Sequence, residues 1–235
     1  MSILAIDTST QVSSVAVASG GRLEAELTMQ AKLTHSETLV PHIQEALAMA
    51  SVKKEELEGI AVSVGPGSFT GLRIGLATAK AMAYALGIPL TGVPTLRALA
   101  YHFPVSGLQI LPLMDAQKGN SYVEQYAWEH GRLIQKSEVR ILSTAELLSW
   151  AEQLPDTVVL LGDVVEKRIE GKVRLPMNVM LAPPHLRMPR AANVAACGWE
   201  LLKSGKTAHL MNMEPVYIRR SEAEVLWEKR HGTEK

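Results

Sequence analysis

Gly65-Pro-Gly-Ser-Phe-Thr-Gly71-Leu-Arg-Ile-Gly75 lies between an apolar run of strand length, Ile60–Val64, and a long apolar stretch that stops at Gly87-Ile-Pro89. A strand that turns through glycines into a helix marks an α/β chain. Glycine permits unusual backbone angles and close approach, and the free N–H groups of a helix start form a natural anion site. The run is not a Walker A loop, because Leu72-Arg73 stands where Lys-Ser/Thr is required. Nor is it a serine nucleophile elbow, since Pro66 and Thr70 flank Ser68 where glycines belong, and it fails the dinucleotide fingerprint. From the residues alone, a conformational strand-to-helix turn outweighs an anion site.

The following helix, Thr70–Leu86, carries only Arg73 and Lys80 as charges. Leu72, Leu76, Ala79, Ala83 and Leu86 form one stripe, while Ile74, Thr78, Ala81, Met82 and Ala85 form another. A helix apolar on two sides is covered by its own protein on both or buries one side in a partner. Gly71, Gly75 and Ala79, four apart, would permit close backbone approach.

Upstream, Ser2–Asp7, Val12–Ala18 and Arg22–Met29 read as strands, with a turn at Gly20-Gly21. Leu39, Ile43, Leu47 and Ala50 follow helical spacing behind Ser36 as N-cap, with Pro41 near the first turn. Downstream, Leu90–Val93 reads as a strand and Thr95–His102 as a short helix, and a boundary falls at Phe103-Pro104. A second series follows: strands at Gln109–Asp115, Ser121–Trp128 and Arg132–Val139, a capping box Ser143-Thr-Ala-Glu146 opening a helix to about Gln153, and a strand at Val158–Leu161. Two halves that each begin with three strands and continue helix, strand, helix suggest a duplicated unit. The expected division is 1–103, 104–213 with a last helix at Arg190–Ser204, and a tail 214–235 that could dock back on the first half.

Composition narrows the function. The 235 residues are 47% hydrophobic, 20% charged and 5% aromatic, with 24 basic and 24 acidic side chains. That excludes a disordered or disulfide-built chain. The halves carry 7 basic against 8 acidic residues through 103 and 17 against 16 beyond it, so neither offers an overall basic stripe for nucleic acid, although local patches at Arg187/Arg190 or Arg219/Arg220 stay open. Few aromatics argue against a base-stacking platform. The single Cys197 sits in an apolar helix and reads as an inert buried thiol; cysteine usage suits the cytoplasm. No signal peptide or membrane span is expected.

Asp7-Thr-Ser-Thr10 ends the first strand with four polar groups, able to hold a metal or phosphate. They are ordinary turn residues too, and the missing glycine where a phosphate would need close backbone approach favours the turn. Asp7, Thr8, Gly67, Ser68 and Thr70 are still the cofactor-binding candidates. Asp115 ends the mirrored strand of the second half. His35 and His42 could share a helix face, but two histidines without a third ligand do not make a metal site.

Leu4-Ala-Ile-Asp-Thr-Ser-Thr10, His35-Ser-Glu37, the Gly65–Gly75 run continuing to Ala79-Lys80, Gly87-Ile-Pro-Leu90 and Pro215-Val-Tyr-Ile-Arg219 together resemble the bacterial TsaB (YeaZ-like) family. The resemblance is close over the first 100 residues and the tail, looser between. It implies an actin-like/Hsp70-like (ASKHA) nucleotidyl fold of two duplicated βββαβα-type domains. It also implies a non-catalytic role in making threonylcarbamoyladenosine beside the tRNA anticodon, with the catalytic paralogue TsaD and the ATPase TsaE as partners. That paralogue carries a His-x-x-x-His metal pair after its matching helix; here Gly92–Leu99 has no histidine and His102 is displaced. The expectation is thus no catalytic residue, no metal and no cofactor on the isolated chain, ATP/ADP and metal belonging to the partners. Family helices one and two pack as a four-helix interface with the paralogue or, in a homodimer, a second copy, nominating Leu39, Ile43, Leu47, Ile74, Thr78, Ala81, Met82 and Ala85. The alternatives weighed are a nucleotide- or metal-dependent enzyme of the same fold, an ATPase or glycoprotease-like peptidase, and a direct tRNA binder.

Overall fold

The computed structural model describes residues 1–30, 35–207 and 210–218. β1 (Ser2–Asp7), β2 (Val12–Ser19) and β3 (Arg22–Gln30) form an antiparallel meander. α1 (His35–Met49), β4 (Gly59–Gly65), α2 (Phe69–Leu86), β5 (Leu90–Pro94) and α3 (Thr95–Ala100) follow. β4 and β5 add in parallel, giving the order β3-β2-β1-β4-β5. Both faces of this sheet are covered. Leu4 and Ile6 point into the core under α1 and α2, whereas Ile3 and Ala5 point into the core under α5. That is why β1 shows no polar alternation.

The second half comprises β6 (Leu108–Asp115), β7 (Asn120–Val123), β8 (Tyr126–Glu129), β9 (Arg132–Gln135), β10 (Arg140–Ser143), α4 (Thr144–Glu152), β11 (Thr157–Leu161), a π-helical turn at Val165–Ile169, β12 (Val179–Leu181) and α5 (Ala191–Lys203). Its order β10-β7-β6-β11-β12 repeats the first sheet strand for strand, with β11 and β12 parallel to β6. The β8–β9 hairpin is attached to β6 off that path. This is the duplicated architecture that the resemblance implies. The capping box opens α4, with Ser143 N donating to Glu146 Oε2 at 2.8 Å.

Four sequence expectations change. The strand expected over Ser121–Trp128 breaks at Glu124-Gln125, where the Gln125 N–H leaves the ladder and donates to Ser137 Oγ at 3.0 Å. The strand expected over Arg132–Val139 ends at Gln135, and β10 takes the outer place beside β7. Ser36 is not the N-cap of α1, because the helix already includes His35, and Pro41 sits inside the helix on its exposed side. α5, assigned by chain order to the 104–213 domain, packs on the first sheet: Ala191, Val194, Ala195, Cys197 and Leu202 bury against Ile3, Ala5, Ala16 and Ala61. Small residues decide its place, since a Cβ on Gly198 would lie 2.3 Å from Ala61 Cβ. α3 sits between the two sheets, with Ala98 in the first half's core and Leu96 and Leu99 in that of the second.

Candidate functional site

The Asp7–Thr10 turn and the glycine motif meet at the carboxyl ends of β1 and β4. Ser9 N and Oγ donate to Asp7 Oδ1 at 2.9 and 2.7 Å, and Ser63 Oγ donates to Asp7 Oδ2. Asp7 is fully buried; burial raises its pKa, and the Ser63 and Ser9 hydrogen bonds oppose that rise. Thr8 Oγ1 donates to Gly71 O at 2.8 Å. The glycines make room for this turn. A Cβ on Gly67 would lie 2.4 Å from Ser9 O, one on Gly71 2.0 Å from Thr8 O, and one on Gly75 2.2 Å from Thr8 Oγ1. Ser68 caps α2 by accepting from Gly71 N at 3.2 Å. The Gly71-Gly75 stripe therefore faces the chain's own turn.

Between the halves lies a cavity of about 750 Å³, lined on one side by Ser9, Thr10, Gly67, Ser68 and Thr70, and on the other by Asp115, Gln117, Asp163 and Lys167. Of the cofactor-binding candidates, Gly67, Ser68 and Thr70 reach this wall; Asp7 and Thr8 lie behind it. Asp115 pairs with Arg168 at 2.5 Å, and Asp163 Oδ2 pairs with Lys167 at 2.5 Å while Asp163 Oδ1 is buried without a hydrogen-bond partner. A metal-bound nucleotide would need open glycine backbone and free carboxylates. Those glycine spaces hold the turn, Asp7 is bonded by serine donors and Asp115 holds a guanidinium, which leaves an unpartnered Asp163 Oδ1 at the wall, too little for a metal-bound nucleotide. Among the described residues no three His, Cys, Asp or Glu side chains gather as a metal site.

The sequence alone did not single out Phe69, Arg73, Tyr217, Asp163, Lys167 or Arg168 as site residues. The signal for Tyr217 was present in the Pro215-Val-Tyr motif. The basic pair 167–168 lies within the Val165–Ile169 turn, whose π geometry has no local sequence mark.

The helix faces sort clearly. In α2, Leu72, Leu76, Ala79 and Ala83 are buried, whereas Ala77, Ala81, Tyr84 and Ala85 are exposed, with Ile74, Thr78 and Met82 half-buried beside them. In α1 the nominated Leu39, Ile43 and Leu47 belong to the core, Leu39 being 1% exposed, and cannot meet a partner. Its outer side presents Val40 (50% exposed), Gln44, Ala48 and Met49 (60%) instead. With Tyr84 at 78%, the two helices carry a largely apolar strip across their outer face, with Glu45 and Lys80 as the charges beside it. The sequence periodicity found both α2 stripes but, on α1, named the core stripe, because the inward positions there are the larger aliphatics.

The remaining singled-out residues have structural partners. His35 Nε2 bonds Thr10 O at 2.7 Å, His42 Nδ1 bonds Ser13 Oγ at 3.3 Å, and His102 Nε2 bonds Met188 O at 3.0 Å. Burial pushes the Cys197 thiol up to about 12, far from a thiolate at neutral pH. Arg187 forms a bidentate pair with Glu170 at 2.6 and 2.8 Å, and Arg190, at the start of α5, pairs with Glu26 of β3, so neither is a free phosphate contact. Arg219 and Arg220, and the tail beyond Ile218, lie outside the described residues.

A family model described as TsaD, tRNA N6-adenosine threonylcarbamoyltransferase, matches residues 28–227. The chain is 32% identical to the tRNA threonylcarbamoyladenosine biosynthesis protein TsaB of Bacillus subtilis, over 97% of this chain and 98% of that one. It is 28% identical to the protein of the same name from Escherichia coli over the full length of both. YeaZ from Pseudomonas aeruginosa shares its fold, with a TM-score of 0.75 at 24% identity over 92% of this chain and 99% of that one.

Proposed function

The chain belongs to the TsaD family, matching the TsaB proteins within it from end to end, and from that premise we propose that it works in the biosynthesis of threonylcarbamoyladenosine in tRNA as a non-catalytic scaffold. Its partners in this reading are a TsaD-like catalytic subunit, which it activates, and a TsaE-like ATPase. Alone it pairs with a second copy, and it reaches tRNA only through the complex, in the cytoplasm.

The observation that carries this reading is the outer strip of α1 and α2. Val40, Met49 and Tyr84 are large apolar groups left in water, and Ala77, Ala81 and Ala85 are exposed on the same two helices, with Glu45 and Lys80 as the charges beside them. Small side chains let two helices approach closely, and aromatic and methionine groups are enriched at protein interfaces. Such a strip accepts a similar helix pair, which a homologous subunit would bring. The cleft supports the non-catalytic part: Asp7 is spent on Ser9 and Ser63, and Asp115 on Arg168. The charge pairing of Arg187 and Arg190 supports an indirect contact with tRNA.

Replacing Ala81 and Ala85 together with Glu should abolish co-elution with the TsaD-like subunit while leaving the thermal unfolding of the isolated chain unchanged. Co-elution that persists would reject the strip as the docking surface. Titration of the isolated chain with ATP and magnesium should give no binding, and tight binding with turnover would restore the enzyme reading.

A further inference from the structure

Residues 210–218 leave the first half and end against the second, across the cleft. Leu210 packs on the core under α1 and α2, and Met213 is buried in it. Val216 N then donates to Val64 O at 2.7 Å, at the end of β4. Gly65 admits this approach: its φ is +110°, and a Cβ there would stand 3.1 Å from Val216 O. Tyr217 follows, its ring 5.0 Å from that of Phe69 and its hydroxyl accepting from Arg73 Nε at 2.9 Å. The Arg73 guanidinium covers Phe69 at 3.8 Å. Ile218 packs on the core of the second half. Val216, Tyr217 and Ile218 thereby form one wall of the cavity between the halves.

The halves are joined elsewhere on the α5 side of the first sheet, by α3 between the sheets. A joint on one side only leaves two lobes free to rock about it. The 213–218 segment supplies the second attachment, at the carboxyl ends of β1 and β4. We propose that it is a strap that fixes the angle between the lobes and the width of the cleft, with Tyr217 as its clasp. Arg73 gains a reason: it is an exposed charge on a helix whose only other charge is Lys80, and it orients the Tyr217 hydroxyl while stacking on Phe69. The proposal concerns the isolated chain and stands whether or not the scaffold reading holds.

Hydrogen–deuterium exchange on the full-length protein tests it. In Tyr217→Ala, segments 9–11, 66–70 and 115–117, which border the cleft, should exchange on the order of tenfold faster, from the lost ring contact and hydrogen bond. The strands 3–6 and 158–161 should keep their protection. Tyr217→Phe, which keeps the ring and drops the hydroxyl, should fall between, and it provides the reading if the alanine variant does not fold. Unchanged exchange at the cleft in both variants would overturn the strap. So would a rise spread equally over the cores, which would mean that Tyr217 only contributes global stability.

Discussion

Replacing Gly71 by Ala separates the two roles open to the glycine motif. If the residue stood in an ordinary helix facing open space, alanine would stabilise α2 by up to about 1 kcal/mol through its higher helix propensity. The structure predicts the opposite sign. The added Cβ would sit 2.0 Å from Thr8 O, a backbone atom that no side-chain rotation can remove. Either α2 shifts outward or the Asp7–Thr10 turn moves, a kind of overpacking that costs about 1–3 kcal/mol. Separation also weakens the 2.8 Å bond from Thr8 Oγ1 to Gly71 O, for about 1 kcal/mol more. Setting the propensity gain against these costs leaves a net loss of about 1–3 kcal/mol. Urea unfolding followed by circular dichroism reads it as a lower midpoint at an unchanged m-value. Ala77→Gly, exposed on the same helix, serves as the control and should cost about 1 kcal/mol from propensity alone. A Gly71→Ala protein as stable as the parent, or more so, would refute close packing of turn against helix as the reason for the glycines.

On α1 the burial pattern predicts contrasting neighbours: Leu39→Ala should cost about 2–5 kcal/mol in urea unfolding, whereas Val40→Glu should change stability by no more than about 0.5 kcal/mol yet weaken binding of the TsaD-like subunit in a pull-down. Equal stability losses in the two variants would refute the assignment of faces. Glu124 is 4% exposed, and burial raises its pKa against the opposing hydrogen bond from Tyr126. The native protein then keeps that proton to higher pH than the unfolded chain, so its contribution is full below the usual carboxylate range, about 4.3, and is lost as pH climbs through the raised value. Glu124→Gln removes this titration, and its urea midpoint should gain on the parent's as pH rises from 4 to 8; parallel profiles would contradict the burial account.

Much of this fold is legible in the sequence because local signals and packing agree. The Gly65–Gly75 run marks the strand-to-helix turn, Ser143 and Glu146 mark the start of α4, and Gly87 with Pro89 marks the end of α2. Where burial comes from a distant element, the local pattern misleads. α5 follows β12 in the chain yet buries Cys197 and Leu202 on the first sheet, a placement set by Gly198 against Ala61 that no local period records. Leu39, Ile43 and Leu47 are the larger aliphatics of α1, and large aliphatics go inward; the strip proposed for docking is made of what remains, Val40, Ala48 and Met49. The cleft was half legible. Gly67, Ser68 and Thr70 were singled out and line it, but the Arg168–Asp115 pair and the Tyr217–Arg73 clasp join residues 53 and 144 positions apart. Pairings at such separation depend on the tertiary fold.

The most direct measurement of the scaffold account is threonylcarbamoyl transfer to tRNA by the reconstituted TsaD-like and TsaE-like subunits, with this chain, without it, and with its Ala81→Glu/Ala85→Glu variant. The account predicts modification with the parent chain and its loss both on omission and with the variant. Undiminished modification without the chain would contradict it.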